Sequence, residues 1–293
     1  METLEMNKPR ETNTPTLPPP TIRTPQTGDQ FLTKKIPVSG SSTLKPPAKV
    51  WVYFYKGWWE PNSQFEVRED GTWEGTLDWK FAMPYGSNSI VARHEQGMEY
   101  SEDTAPVTFT IKLPVVQFTH PPEEGYVGQG TSFAGTGQPG AHVTVVMSDD
   151  ESKVLGTGPV YSTSEWHVGG SGDVVLRPGK TCVKAQSCMN GECVWTEAHC
   201  FFVRPSQPTI RLPYPGEVDS HVEVSGLGHP GASMEVWLIG NPSMSLGKGV
   251  VDDESWTWNI PVHLPAGDCV IEAVQTVSEV ASVPSASRTY HVK

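Results

Sequence analysis

Short stretches in which apolar and polar residues alternate one by one run through most of the chain, and turn residues interrupt them every 8–12 positions. From Ala141 the chain reads AHVTVV, from Ala232 ASMEVW, and from Ala48 AKVWVYFY. A period of two is the signature of a β-strand with one face in a core and one face out. Stretches of Ala, Leu, Glu and Lys at helical spacing are absent, so the pattern predicts an all-β protein. Gly and Pro, 28 and 27 residues of 293, supply the turns such a chain needs.

The strands recur in three sets. PTIRTP opens at Pro20, PVVQFTHP at Pro114 and PTIRLP at Pro208, and these prolines stand 94 residues apart. Inside each set a Gly/Pro turn precedes an alternating strand: GTGQPGAHVTVV from Gly135, GLGHPGASMEVW from Gly226, and GSSTLKPPAKVWVY from Gly40. Next comes a lone Trp after a polar turn, at Trp73, Trp166 and Trp256, followed by a Gly turn and a short apolar strand. VTFTIK, CFFVR and YHVK close the three sets. A unit of about 90 residues with roughly seven short strands predicts an immunoglobulin-like sandwich.

The order SG-x-G-x-PGA-x-V-x-V, then DG-x-W, then L-x-x-G-x-x-x-I-x-A, resembles the tandem bacterial Ig-like repeats of secreted and surface proteins. The third copy matches this order best. The first departs most, with Pro46-Pro47-Ala48 where the others have Pro-Gly-Ala. The expected organisation is a Pro/Thr-rich disordered leader over 1–19, then Ig-like domains over 20–113, 114–204 and 205–293 in an elongated array. Junctions are expected near Lys112–Pro114 and Arg204–Pro208. What the resemblance implies about function is a non-catalytic spacer and binding protein, part of a surface adhesin or secreted assembly.

Charge narrows the partners. A formal net charge of −12 argues against nucleic acid, which asks for a basic stripe, and against anionic membrane surfaces. No stretch approaches the ~20 apolar residues of a membrane span, and METLEMNKPRETNTPTLPPP shows no apolar signal core. The expected location is extracellular or on the cell surface by a route that reads no classical signal, with the cytoplasm as the alternative. The expected partner is a protein or glycan on a cell surface.

Aligning the copies on Ala48, Ala141 and Ala232 sorts the ring-rich stretch KVWVYFYKGWW from Lys49. Val50, Val52 and Phe54 match apolar residues in both other copies and are expected in the core. Trp51, Tyr53 and Tyr55 then face outward, and Trp58 and Trp59 extend the set into a loop. Two readings are open: the rings pack against neighbouring chain, or they form an aromatic platform for a sugar or a protein. Trp73, Trp166 and Trp256, present in every copy, are expected to serve the scaffold.

Four of the five cysteines lie in TCVKAQSCMNGECVWTEAHC. Asn190-Gly191 predicts a two-residue type I′ hairpin, which sets Cys188 opposite Cys193. The same register pairs Cys182 with His199, and a bulge would bring Cys182 to Cys200. Both pairs are disulfide candidates in an oxidising compartment. A single zinc site is rejected because the two pairs stand about 20 Å apart along the hairpin. Cys269 is expected to be a buried free thiol. No nucleophile elbow, zinc-protease or phosphate-loop motif occurs, the histidines are scattered, and the acidic runs Asp149-Asp150-Glu151 and Asp252-Asp253-Glu254 read as solvated turns. No cofactor, metal or catalytic residue is expected.

Overall fold

The computed structural model describes residues 17–55, 63–78, 83–169, 175–240 and 244–293. All the regular structure among them is β. The first repeat comprises β1 (Thr21–Thr24), β2 (Gln30–Phe31), β3 (Lys35–Ser41), β4 (Lys49–Phe54), β5 (Gln64–Glu66), β6 (Thr72–Asp78), β7 (Gly86–Gln96), β8 (Glu99–Tyr100) and β9 (Val107–Ile111). One sheet runs β1-β3-β6, and the other runs β2-β9-β7-β4-β5 with β8 paired to β7.

The second repeat follows the same plan: β10 (Gln117–His120), β11 (Tyr126–Val127), β12 (Phe133–Thr136), β13 (His142–Met147), β14 (Val154–Pro159), β15 (Glu165–Val168), β16 (Gly179–Met189), β17 (Glu192–Trp195) and β18 (His199–Val203). So does the third: β19 (Thr209–Leu212), β20 (Gly216–Val218), β21 (His221–Leu227), β22 (Ser233–Leu238), β23 (Ser245–Val250), β24 (Thr257–His263), β25 (Gly267–Val277), β26 (Val280–Ala281) and β27 (Arg288–Val292). In all three the chain enters in the smaller sheet and crosses to the larger one, where β2, β11 and β20 pair parallel to β9, β18 and β27. The protein is therefore a tandem of three Ig-like β-sandwiches, with nine described strands in each. The two strands beyond the expected seven are the short crossing strand and the hairpin partner of the long central strand.

Burial follows the alternation. Along β24 every second residue is buried, and along β16 the buried positions recur from Gly179 to Ser187. In the third repeat Met234, Val236, Ile271, Ala273 and Tyr290 close over Trp258, so side chains from both sheets share one core. Strand pairing also corrects the repeat spacing. Ile22, Phe118 and Ile210 each face a glycine on the neighbouring strand, so Val116 and not Pro114 is the counterpart of Pro20 and Pro208.

That glycine explains the recurring Trp. Gly40 pairs with Trp73, Gly135 with Trp166 and Gly226 with Trp258, and each indole is buried across the bare Cα of its partner. A Cβ on Gly135 would lie 1.9 Å from the Gln117 carbonyl oxygen and 2.5 Å from Cζ2 of Trp166. Gly40 and Gly226 are as tightly enclosed. The scaffold Trp of the third repeat is thus Trp258, not Trp256 as the spacing had suggested. Trp256 is 57% exposed and occupies a left-handed turn with φ of 61°, where the first repeat has Gly71 and the second Ser164. Two tryptophans two residues apart look alike in sequence, but only Trp258 lies within the strand and opposite the glycine.

A Gly135→Ala protein should lose at least about 2–3 kcal/mol, because neither the backbone carbonyl nor the indole can withdraw. Gly130→Ala, where an added Cβ meets nothing within 4 Å, should be close to neutral. Urea melts of the two variants against wild type check the contrast; equal midpoints would refute the packing argument.

Candidate functional site

The ring-rich stretch of the first repeat forms β4 and the residue after it. Val50 and Val52 point into the core with no exposed surface, and Phe54 is half-buried. On the other side of the same strand, β4 is flanked by β5 and β7, with Trp51 opposite Gln64 on one side and Arg93 on the other. The Trp51 indole N–H donates to the Glu95 carboxylate, which also accepts the Gln64 amide at 2.9 Å. Lys49 Nζ reaches Gln64 at 3.4 Å and Glu66 at 3.6 Å, so a ring, an amide and two carboxylates interlock along this edge.

Tyr53 departs from the expectation of an open row. It is only 8% exposed, because Asp103, in the segment between β8 and β9, accepts its hydroxyl while Arg93 lies over its ring. Burial first, and then the hydrogen bond to Asp103, push its phenol far above the ordinary range. The Arg93 guanidinium also lies 4.6 Å from the Tyr100 ring centroid, so it sits against two tyrosines in cation–π geometry. Tyr55 and Tyr100 are 45% and 39% exposed, and Trp51 is half-buried. Trp58 and Trp59 lie outside the described residues. The face is therefore Trp51, Tyr55 and Tyr100 around a covered Tyr53–Arg93–Asp103 group. Arg93, Glu95 and Tyr100 escape a reading of β4 alone. Their signal is the alternation of β7, where polar Arg93 and Glu95 fall on the outward positions opposite the rings.

The corresponding sheet face of the second repeat carries the two predicted disulfides. Asn190 and Gly191 both adopt left-handed φ, 52° and 82°, as a type I′ turn requires, and Cys188 bonds to Cys193. Cys182 bonds to Cys200 as its direct register partner, and Val183, not Cys182, faces His199. The Thr196 N–H still meets the Ala185 carbonyl, so a one-residue shift between Thr196 and His199 brings Cys200 opposite Cys182. His199 instead stacks on Phe118 at 4.6 Å and approaches the Pro121 carbonyl oxygen at 2.7 Å. With all four thiols in disulfides, none is available to a metal. Among the described residues no group of three or more His, Cys, Asp or Glu is placed to hold one.

Cys269 is a buried free thiol, and burial, helped by Asp268, pushes its titration up. The acidic runs close turns: Asp150 accepts from Ser152 through its hydroxyl and its N–H, and Asp252 accepts from Ser255 in the same two ways and from the Glu254 N–H. These bonds hold both carboxyls below the usual range.

No family model matches the chain, and no curated protein matches it. Among solved structures it is similar to a tetra-tandem repeat from the extending region of a large adhesion protein, at 16% identity over 89% of this chain and 72% of that one, TM-score 0.34. It is likewise similar to the I-band fragment I67–I69 of titin, at 14% identity over 95% and 100%, TM-score 0.35. The ICAM-5 D1–D4 ectodomain fragment gives 10% identity over 93% and 76%, TM-score 0.40. The assignment of the fold rests on strand pairing, and these likenesses add no functional argument.

Removing the Cys182–Cys200 bond with paired Ala substitutions should cost about 3 kcal/mol, and removing Cys188–Cys193, which closes a much shorter loop, about 2 kcal/mol. Denaturant melts of each variant give the values; a larger loss from the short loop would contradict loop closure as the main effect.

Proposed function

We propose that this protein is a non-catalytic extracellular spacer and binding protein, in which tandem sandwiches present a contact surface on the first repeat to a protein of a cell surface. One observation carries the reading. Trp51, Tyr55 and Tyr100 stand around Arg93 on the outer side of the first repeat, whereas the positions matching Trp51, Tyr53 and Tyr55 are Thr144, a buried Val146 and Ser148 in the second repeat and Glu235, Trp237 and Ile239 in the third. The scaffold is common to three copies, so it does not account for a face that occurs in one.

Rings and an arginine held by neighbouring side chains suit association. Trp, Tyr and Arg dominate binding hot spots, and groups already fixed in place lose little conformational freedom on contact. The two disulfides support an oxidising location. The tandem of three sandwiches supports the spacer element of the proposal.

A second reading is favoured by the edge beside Trp51. A half-buried indole flanked by Glu95 and Gln64 combines a stacking surface with hydrogen-bonding groups, which is the chemistry a sugar ring asks for. A pull-down of surface proteins and a glycan array, each with wild type and a Tyr55→Ala/Tyr100→Ala variant, test both. The protein reading expects capture reduced about tenfold or more in the variant, on the scale of a lost hot spot, and no glycan signal. A glycan signal that Trp51→Ala abolishes would replace it with the sugar reading. Unchanged capture by the Tyr55→Ala/Tyr100→Ala protein would reject the face.

A further inference from the structure

The long central strand of each repeat buries a polar side chain at its ninth residue. These are His94 in β7, Ser187 in β16 and Gln275 in β25, all with no exposed surface. In the third repeat Gln275 is satisfied from two sides. Its Oε1 accepts the His229 N–H at 2.6 Å, and its Nε2 donates to the Ser206 carbonyl at 2.5 Å. Ser206 lies four residues before Ile210, on the chain just entering the sandwich.

His94 occupies the same place in the first repeat and performs the same task with an imidazole. Its Nδ1 lies 2.6 Å from the Pro18 carbonyl oxygen, and Pro18 is four residues before Ile22, the counterpart of Ile210. A carbonyl only accepts, so Nδ1 carries a proton, and it is the surroundings of Nε2 that favour the neutral Nδ1–H tautomer over the imidazolium. Nε2 is buried and has no hydrogen-bond partner among the described residues. A bare lone pair there is tolerable; an N–H bearing positive charge would be buried with nothing to receive it.

The charged groups around the ring are engaged elsewhere or turned outward. On β4, Lys49 is committed to Gln64 and Glu66. On β7 itself, Arg93 and Glu95 point to the opposite face, against the tyrosines and Trp51. Past β7, Glu99 and Glu102 are exposed, Tyr100 faces Arg93, Asp103 holds Tyr53, and Ser101 uses its hydroxyl on the His94 backbone N–H. In the turn before β4, Lys45 binds the Glu69 carbonyl. The entering segment, Leu17 to Pro20, has no ionisable side chain.

We propose that His94 is an acid-sensitive latch on the chain entering the first repeat: neutral, it holds Pro18 and keeps β1 in place; protonated, it releases them. The third repeat builds the same latch from an amide that does not titrate, so the response belongs to the first repeat. Burial lowers the His94 titration below its ordinary value near 6.5, with the Pro18 bond opposing. The latched state therefore binds fewer protons than the released one below about pH 6.5. Its hold is complete above that pH and weakens as pH falls toward the lowered value.

The full chain is examined by amide hydrogen exchange across β1 and β19 at pH 7.5 and 5, corrected for intrinsic exchange. Wild type should exchange Thr21–Thr24 severalfold faster at pH 5 than at pH 7.5, with a ceiling of about thirtyfold set by the distance from the ordinary histidine value near 6.5 down to pH 5. His94→Gln should remove that response, and Gln275→His should transfer it to β19. Long-range 15N NMR should show His94 as the Nδ1–H tautomer at neutral pH. Equal acid response in wild type and His94→Gln, undiminished β1 protection at pH 5, or the Nε2–H tautomer would overturn the proposal. If His94→Gln fails to fold by circular dichroism, the Gln275→His arm decides: an unresponsive β19 would overturn it.

Discussion

Each sandwich is organised by an indole lying across a residue that has no side chain. The contact is cross-strand and buried: Trp73 on Gly40, Trp166 on Gly135, Trp258 on Gly226. The ring fills the space a Cβ would deny it, and replacing a ring so placed by Ala typically costs about 3–5 kcal/mol. Because side chains alternate along a strand, fixing one pair fixes the face of every residue on the strands involved. That register carries the smaller sheet, against which the larger sheet packs its own apolar face. The outward face of the larger sheet then remains free to differ, and it does. It bears rings and an arginine in the first repeat, and two disulfides in the second.

Much of this was legible in the residues because it is local. Period-two alternation, the glycine and proline punctuation and the Asn190-Gly191 turn all act within a few positions of where they are read. The pairings of Cys188 with Cys193 and Cys182 with Cys200 follow from hairpin geometry plus a short offset. What escaped is what non-neighbouring chain decides. Tyr53 is outward by alternation yet covered, because Asp103 and Arg93 come over it from other elements. Trp256 and Trp258 have the same parity, and only the position of the preceding turn separates them. The second repeat's opening is shifted by two residues because Pro114 imitates the proline of the other copies without occupying its place.

The candidate face shows the same division. Trp51 and Tyr55 emerge from comparing three copies of one strand, since what the scaffold needs recurs and what it does not need stands out. Arg93, Glu95 and Tyr100 belong to strands that the comparison did not link to β4, and their role appears only once β7 is laid beside it. His94 illustrates the limit most sharply. A histidine among polar residues carries no mark of burial, and its likeness to Gln275 is one of position, not of chemistry.

The crossing of the entering chain from one sheet to the other has a mechanical consequence. In every repeat the short strand that follows the crossing runs parallel to the last strand, β2 with β9, β11 with β18 and β20 with β27. Tension applied at the two ends of a repeat then acts in opposite directions along adjacent parallel strands. The bonds between them are loaded in shear, all together, and cannot be opened one at a time as a zipper would be. In the second repeat the Cys182–Cys200 link adds a covalent stop, because the chain between those residues cannot be drawn out while it holds. Under load, the weakest element of each sandwich by length is one of its strongest by direction.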